Sequence, residues 1–309
     1  MMIGAAYMAA AWPFFRLMVC KSNKKENNKK IWDSFKHKKI NHPRNGYEKE
    51  YETGKAWCRD AGSADWWMES HDGLMLHGYY LEAENPERIV LLCHGYRGSG
   101  FGDFANIARF LHEHGCTLLI IDERSHGQSE GKYITYGALE QYDVRGWAEK
   151  LEKSNTANLP MYLYGMSMGA ASVLLASGHR LPEEVKGLIS DCGFHSMKME
   201  LKDIASNWFH IDYVDLLLKR VDFYCRLCAG FKMDDADTTR ALRRNERPVL
   251  FFHGENDTFV EKKHTDINYD ICNAKKEKFT VPGARHLCSS YVAEDEYREK
   301  LMEFFKEND

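Results

Sequence analysis

The 309-residue sequence predicts an α/β protein, with a central, mostly parallel eight-stranded sheet, helices on both faces and a helical cap insertion. Three observations predict it. From Gly54 onward, short apolar runs rich in Val, Ile, Leu and Tyr alternate with longer amphipathic segments, the pattern of βαβ units. The later runs are continuously apolar and bounded by glycine, as expected of parallel strands covered by helices on both faces. Finally, the interval between Asp191 and Val249 far exceeds what one crossover needs, so it holds an insertion.

The strands expected first are Asp65–Met68 and Leu74–Glu82, a hairpin turned by His71, Asp72 and Gly73. Then follow Ile89–His94, Thr117–Asp122, Met161–Gly165, Gly187–Ser190, Val249–His253 and Lys278–Val281. Helices are expected at Asp103–His114, Leu139–Lys153, Met168–Ser177, Val260–Cys272 and Ala293–Lys306. Within the insertion, helices near Met197–Trp208 and Tyr213–Ala229 make the cap, which runs from Phe194 to about Met233, and Asp235–Asn245 is an ordinary crossover helix. The expected organisation is an N-terminal apolar helix plus lysine-rich linker over 1–60, then one catalytic-sized domain over 61–309 with the cap at 194–233.

Composition narrows the function classes. A hydrophobic fraction of 44% with 13% aromatics is enough for a large core and excludes wholesale disorder. Lys and Arg number 42 against 46 Asp and Glu, a net charge of −4, so no global field favours nucleic acid. Nine cysteines in a chain of this length, outside any short secreted framework, read as mostly free thiols. That places the protein in a reducing compartment, the cytoplasm or the cytoplasmic face of a membrane. Residues 1–20 are nearly all apolar, and a lysine-rich stretch follows. No basic residue precedes the run, which fits a cleaved signal peptide poorly, and Pro13 and Arg16 interrupt it as a span. Three readings stay open. One is a marginal membrane anchor with Lys21, Lys24, Lys25, Lys29 and Lys30 on the cytoplasmic side; the second is a helix lying on a membrane surface. The third is a helix packed on the body of the protein over an apolar groove.

The motif that carries chemistry is Gly165-Met166-Ser167-Met168-Gly169, placed after an expected strand and at the start of an expected helix. A serine there sits on a strained strand-to-helix turn that lifts its hydroxyl from the sheet, and the flanking glycines let helix and strand approach closely. Ser167 is the expected nucleophile. Because the turn opens a helix, the Met168 N–H has no intrahelical acceptor and points at developing oxyanion charge, aided by the helix dipole. The loop His94-Gly95-Tyr96-Arg97-Gly98-Ser99 follows another strand, where a second oxyanion donor belongs, and by position this is the Tyr96 amide. A phosphate-binding loop is the rival reading, yet neither GxxxxGK[ST] nor GxGxxG is present. His94 is read as a residue whose ring ties this loop down.

Asp257, just past a strand's carboxyl end in Gly254-Glu255-Asn256-Asp257, is the expected acid that orients the base. Asp191 competes from the end of the preceding strand, and Glu255 more weakly. Asp257 is preferred because its turn faces the loop after the last strand. That loop, Val281-Pro282-Gly283-Ala284-Arg285-His286, supplies His286 as general base. A lone histidine is usually a packing residue, but the order Ser167, Asp257, His286 is that of one hydrolase architecture and differs from those of chymotrypsin and subtilisin.

From about Trp66 to the C-terminus the pattern resembles the α/β-hydrolase superfamily. The run Asp122-Glu123-Arg124-Ser125-His126-Gly127-Gln128-Ser129 is similar to the D-x-R-x-H-G-x-S loop of its prolyl-oligopeptidase-like and cinnamoyl-esterase-like serine hydrolases. The resemblance implies carboxylic-ester hydrolysis through an acyl-enzyme on a small-molecule ester, and a mainly structural role for Asp122, Arg124 and His126. Peptidase or amidase action on short acyl-peptides is the alternative, ranked lower because no propeller domain precedes the hydrolase unit. A non-catalytic binding protein of the same fold ranks third because no triad member is missing. No cofactor and no metal site are expected: His112 and His114 lack a second ligand pair. Cys225 and Cys228, in the cap helix, lack the strand-to-helix setting of a thioredoxin-like pair and read as packing residues. The cap aromatics Trp208, Phe209, Tyr213, Phe223, Tyr224 and Phe231 read as lid packing, some of them lining an acyl pocket.

Overall fold

The computed structural model describes residues 11–21 and 44–309. Eight strands form one sheet: β1 (Ala64–Glu69), β2 (Met75–Leu81), β3 (Arg88–Cys93), β4 (Cys116–Ile121), β5 (Met161–Met166), β6 (Val185–Asp191), β7 (Val249–Gly254) and β8 (Lys276–Val281), in the order β1-β2-β4-β3-β5-β6-β7-β8. β1 pairs antiparallel with β2, and β2 with β4; every later pairing is parallel. The hairpin between β1 and β2 closes where Gly73 donates to the Ser70 carbonyl at 3.1 Å.

The central strands are apolar on both faces because helices cover both. In β3, Ile89, Leu91 and Cys93 enter one core while Val90 and Leu92 enter the other, and in β4 Leu119 and Ile121 oppose Leu118 and Ile120 in the same way. Along the chain the helices are α1 (residues 11–18), α2 (Glu48–Asp60), α3 (Gly100–Asp103), α4 (Ala108–Glu113), α5 (Glu140–Ser154) and α6 (Met168–Ala176). The cap comprises α7 (Met197–Asp203) and α8 (Val214–Tyr224), each prolonged by a π-helical turn, Ile204–Trp208 and Cys225–Ala229. The chain returns through α9 (Thr239–Arg244) and α10 (Lys263–Ile271) and ends with α11 (Ser289–Val292) and α12 (Glu294–Asn308). A third core lies under the cap and joins Met197, Leu201, Leu217 and Val221 of the cap to Met168 and Ala171 of α6 and to Phe14, Phe15 and Met18 of α1.

Several boundaries differ from expectation, each for a local reason. The single helix expected over Asp103–His114 is two, α3 and α4. It begins earlier because Ser99 caps it, accepting from the Gly102 amide at 3.2 Å, and it breaks after Asp103, whose carboxylate turns back to the Gly95 amide. α10 starts at Lys263 instead of Val260 because the Asp257 carboxylate takes the amides of Phe259 and Val260 and holds those residues in a turn. α9 starts at Thr239, after a 3₁₀ turn at Met233–Ala236 and a bridge between Ser196 and Asp237.

The expected linker over 1–60 contains a helix at its end. α2, EKEYETGKAWCRD, buries Cys58 and crosses the body at Gly54, where a Cβ would collide with the Ala105 carbonyl oxygen. Residues 1–10 and the lysines at 24, 25, 29 and 30 lie outside the described residues, as does most of the expected linker. Within the described part, Ala11, Phe14, Phe15, Met18 and Val19 bury their side chains in the protein. Among the described residues no helix is long and apolar enough to cross a membrane.

Candidate active site

Ser167 stands between β5 and α6 with φ +54° and ψ −116°, a left-handed region that costs an L-residue about 1–3 kcal/mol. The surrounding glycines make this turn possible. A Cβ on Gly165 would collide with the Gly169 carbonyl, and one on Gly169 would collide with the Cys93 carbonyl of β3. The Ser167 amide donates to the Asp191 carbonyl at 2.8 Å, which fixes the elbow against β6. Left-handed residues also flank the other loops of the site: Arg97, Cys192 and Leu287 all have positive φ.

The three side chains expected to work together meet at this edge of the sheet. His286 Nε2 lies 3.0 Å from Ser167 Oγ, and His286 Nδ1 lies 2.6 Å from Asp257 Oδ2. All three are buried. The other Asp257 oxygen accepts from the Phe259 amide at 2.9 Å and the Val260 amide at 3.0 Å. Burial would raise the Asp257 carboxyl, but the His286 and His253 imidazoles beside it outweigh this and hold it well below the ordinary carboxylate range. A charged Asp257 accepts from Nδ1–H, which leaves Nε2 free to take the serine proton.

Asp191, the competing acid, faces away: its Oδ2 accepts from the Tyr297 hydroxyl at 2.8 Å. Glu255 is exposed. His253, which the sequence reading passed over, brings Nε2 within 3.4 Å of Asp257 Oδ2 while also reaching the Val260 carbonyl at 2.9 Å. It sits four residues before Asp257, at the end of the same strand.

Tyr96 lines the same pocket as Ser167, and Met168 follows the serine directly. Met168 opens α6, and Gly95 comes so close that a Cβ there would approach Ser167 Cβ to 3.0 Å. The loop carrying Tyr96 is braced from below by two histidines. His94 Nε2 accepts from the Glu123 amide at 3.1 Å, so its proton is on Nδ1 and goes to the Gly95 carbonyl at 2.8 Å. His126 Nε2 accepts from the Arg97 amide at 3.0 Å, with Nδ1 on the Arg124 carbonyl at 2.9 Å, and burial keeps this ring neutral. Arg124 forks onto Asp143 at 2.6 and 2.7 Å and onto Asp72 at 3.0 and 3.1 Å; Asp122 holds His77 at 3.0 Å and the Gln128 amide at 2.9 Å. The D-x-R-x-H-G-x-S segment is thus a brace.

A pocket of about 220 Å³ opens onto Ser167 and His286. Its far wall includes Arg44 and Tyr51, which precede the region where sequence patterns were informative. Asp103 joins that wall to the loop: it accepts from Arg44 at 2.9 Å and from the Gly95 amide at 2.7 Å. Cys192 Sγ lies within 4.8 Å of ligand atoms of Asp257 and His286, a spacing a metal ion would tolerate, but burial raises its thiol far above the range in which it ionises. Cys225 and Cys228 are free thiols in the cap.

Known proteins resemble this chain in sequence and fold. A model of the family described as "Serine aminopeptidase, S33" matches residues 84–222. Human monoglyceride lipase is 30% identical over 70% of this chain and 80% of its own length. The chain belongs to the α/β-hydrolase superfamily, serine-esterase type. The uncharacterized protein YqkD of Bacillus subtilis is 25% identical to this hydrolase over 75% of each chain. The solved esterase Pf2001 of Pyrococcus furiosus superposes with a TM-score of 0.65 at 19% identity, covering 81% of this hydrolase and 92% of that chain, a likeness of fold. This protein is therefore an esterase/lipase-type hydrolase.

Proposed function

We propose that the chain hydrolyses carboxylic esters through an acyl-enzyme on Ser167, with His286 as general base, Asp257 as its orienting acid and the amides of Tyr96 and Met168 as the oxyanion hole. The observation that carries this is the continuous hydrogen-bonded line from Ser167 Oγ to His286 at 3.0 Å and on to Asp257 at 2.6 Å, opening onto a pocket. As Oγ attacks the ester carbonyl carbon, its proton passes to His286 Nε2, and Asp257 stabilises the imidazolium. The former carbonyl oxygen takes the negative charge between the two amides, an interaction worth about 10²- to 10³-fold in turnover per donor. Collapse expels the alcohol, which takes the proton back from His286. Water then enters, gives a proton to Nε2 and attacks the acyl carbon; the second tetrahedral adduct expels Ser167 Oγ, which takes the proton back from His286, and the acid product departs.

One observation favours a second reading: the matched family is described as a serine aminopeptidase. A substrate with a free α-ammonium calls for an available carboxylate near the acyl carbon. Asp103 is the acid among the residues lining the pocket, and it is engaged by Arg44 and by the Gly95 amide. That supports an ester over an aminoacyl peptide. The monoglyceride named in its human relative supports a small acyl ester as the substrate class.

Ser167→Ala tests the reading. Purified wild type should hydrolyse p-nitrophenyl butyrate and leave aminoacyl p-nitroanilides nearly untouched, and the variant should lose ester turnover by about 10⁶-fold, to background. Ester hydrolysis retained by the variant, or a preference for the anilides, would contradict it.

A further inference from the structure

The N-terminal segment that follows α1 is attached to the loop that carries Tyr96. A helix leaves its last carbonyls without intrahelical partners. Here those of α1 are taken up by the oxyanion loop itself. The Tyr96 hydroxyl donates to the Met18 carbonyl at 3.0 Å and lies 3.3 Å from that of Leu17. Arg97 Nη2 donates to the Leu17 carbonyl at 2.8 Å and the Cys20 carbonyl at 2.9 Å, and Arg97 Nε donates to the Tyr96 hydroxyl at 2.7 Å. A guanidinium at a helix C-terminus is also favoured by the helix dipole.

The other side of the segment is held as firmly. Ile134 donates to the Val19 carbonyl at 2.7 Å, Lys21 donates to the Lys132 carbonyl at 2.8 Å, and the Tyr136 hydroxyl reaches the Met18 carbonyl at 3.1 Å. Phe15 is fully buried in the core shared with the cap and with Met168. Arg97 meanwhile sits at φ +53°, so the peptide between Tyr96 and Arg97 is kept in an unfavourable conformation by its surroundings. His126 holds its amide from below, and the N-terminal segment holds its side chain from the side.

We propose that residues 17–20 serve as a strut for the oxyanion loop, and that Arg97 is a positioning residue through which docking of the N-terminal segment sets the aim of the Tyr96 amide. The proposal rests on the esterase reading above. It makes turnover at Ser167 dependent on a segment that lies outside the region matched by the family model. A donor moved off the oxyanion position loses part of the 10²- to 10³-fold it supplies. The ground-state ester, whose carbonyl is uncharged, is affected less.

The test uses the full chain and expresses kcat per site labelled by a fluorophosphonate, so that loss of folded protein does not count. Arg97→Ala should lower kcat by about 10- to 100-fold with KM little changed, and should weaken an alkyl boronate, which mimics the tetrahedral adduct, by a similar factor. Arg97→Lys should recover part of both, and Tyr96→Phe, which keeps the backbone donor, should show a smaller loss of the same kind. Phe15→Asp, which expels the helix from its buried site, should reproduce the Arg97→Ala defect, and the double variant should be no worse than the more impaired single, the mark of one shared contact. Unchanged kcat per labelled site and unchanged boronate affinity in Arg97→Ala would overturn the proposal, as would multiplying defects in the double variant. A wild type that neither labels nor turns over would overturn the esterase reading and, with it, the proposal.

Discussion

Asp257 is held as a carboxylate by donors on both oxygens, backbone amides on one and imidazoles on the other. Because its folded value is depressed, its contribution to stability is complete above the unfolded value of about 3.9 and is lost only as pH falls through the lower folded value. Across the neutral range it is therefore always ready to fix the His286 tautomer. Asp257→Asn should keep the geometry but favour the wrong tautomer, lowering kcat by about 10⁴-fold. Asp191→Asn should leave kcat per folded molecule essentially unchanged, because that carboxylate answers to Tyr297. Steady-state kinetics on the two variants decides between the acids, and a larger loss from Asp191→Asn would refute the assignment. At this scale the sequence was informative wherever a residue sat on a turn of defined stereochemistry. Gly165, Ser167 and Gly169 could be read because their spacing reflects collisions that any other residue would meet. His253 and Arg44 could not, since one lies inside an apolar strand and the other is recruited by Asp103, distant in sequence.

Among the elements, the cap is the one whose attachment is chemically addressable. α7 presents Glu200 and Asp203 to His264 of α10, with Nε2 at 3.4 and 3.1 Å, while His264 Nδ1 accepts from the His195 amide at 3.1 Å. That amide fixes the proton on Nε2, facing the cap. Burial lowers the His264 imidazole to about 4, against the nearby carboxylate of Asp203, which works to raise it. A base whose folded value is depressed binds fewer protons in the native state, so stability falls as pH drops from the unfolded value of about 6.5 towards 4. The full penalty is about 3 kcal/mol, or roughly 6–12 °C in Tm. His264→Gln should be less stable at neutral pH but should lose less Tm between pH 6.5 and 4 than wild type, as thermal melts across that range would show; parallel pH profiles would contradict this. Strands were legible as elements because both faces of β3 to β7 are apolar. Helix ends were less so, since α3, α9 and α10 begin where a side chain just upstream, Ser99, Asp237 or Asp257, captures a backbone amide two or three residues on. α2 was missed because its charged sequence buries little.

For the molecule as a whole, the sheet order is what turns a list of residues into a site. Parallel β5, β7 and β8 all end at the same edge, so the loops bearing Ser167, Asp257 and His286 converge there. Residues 84–222 match the family model, yet Asp257, His286 and the Arg44 wall lie outside that stretch. The nine cysteines, all free, add no cross-links, so the convergence depends on noncovalent packing and hydrogen bonding. The proposed activation of the Ser167 hydroxyl requires the folded chain. Mass spectrometry after reaction with a fluorophosphonate is the most direct measure of it. The native protein should gain one adduct, on the peptide bearing Ser167, with none after denaturation and none in His286→Ala. An unlabelled native protein, or an adduct on another residue, would contradict the assignment.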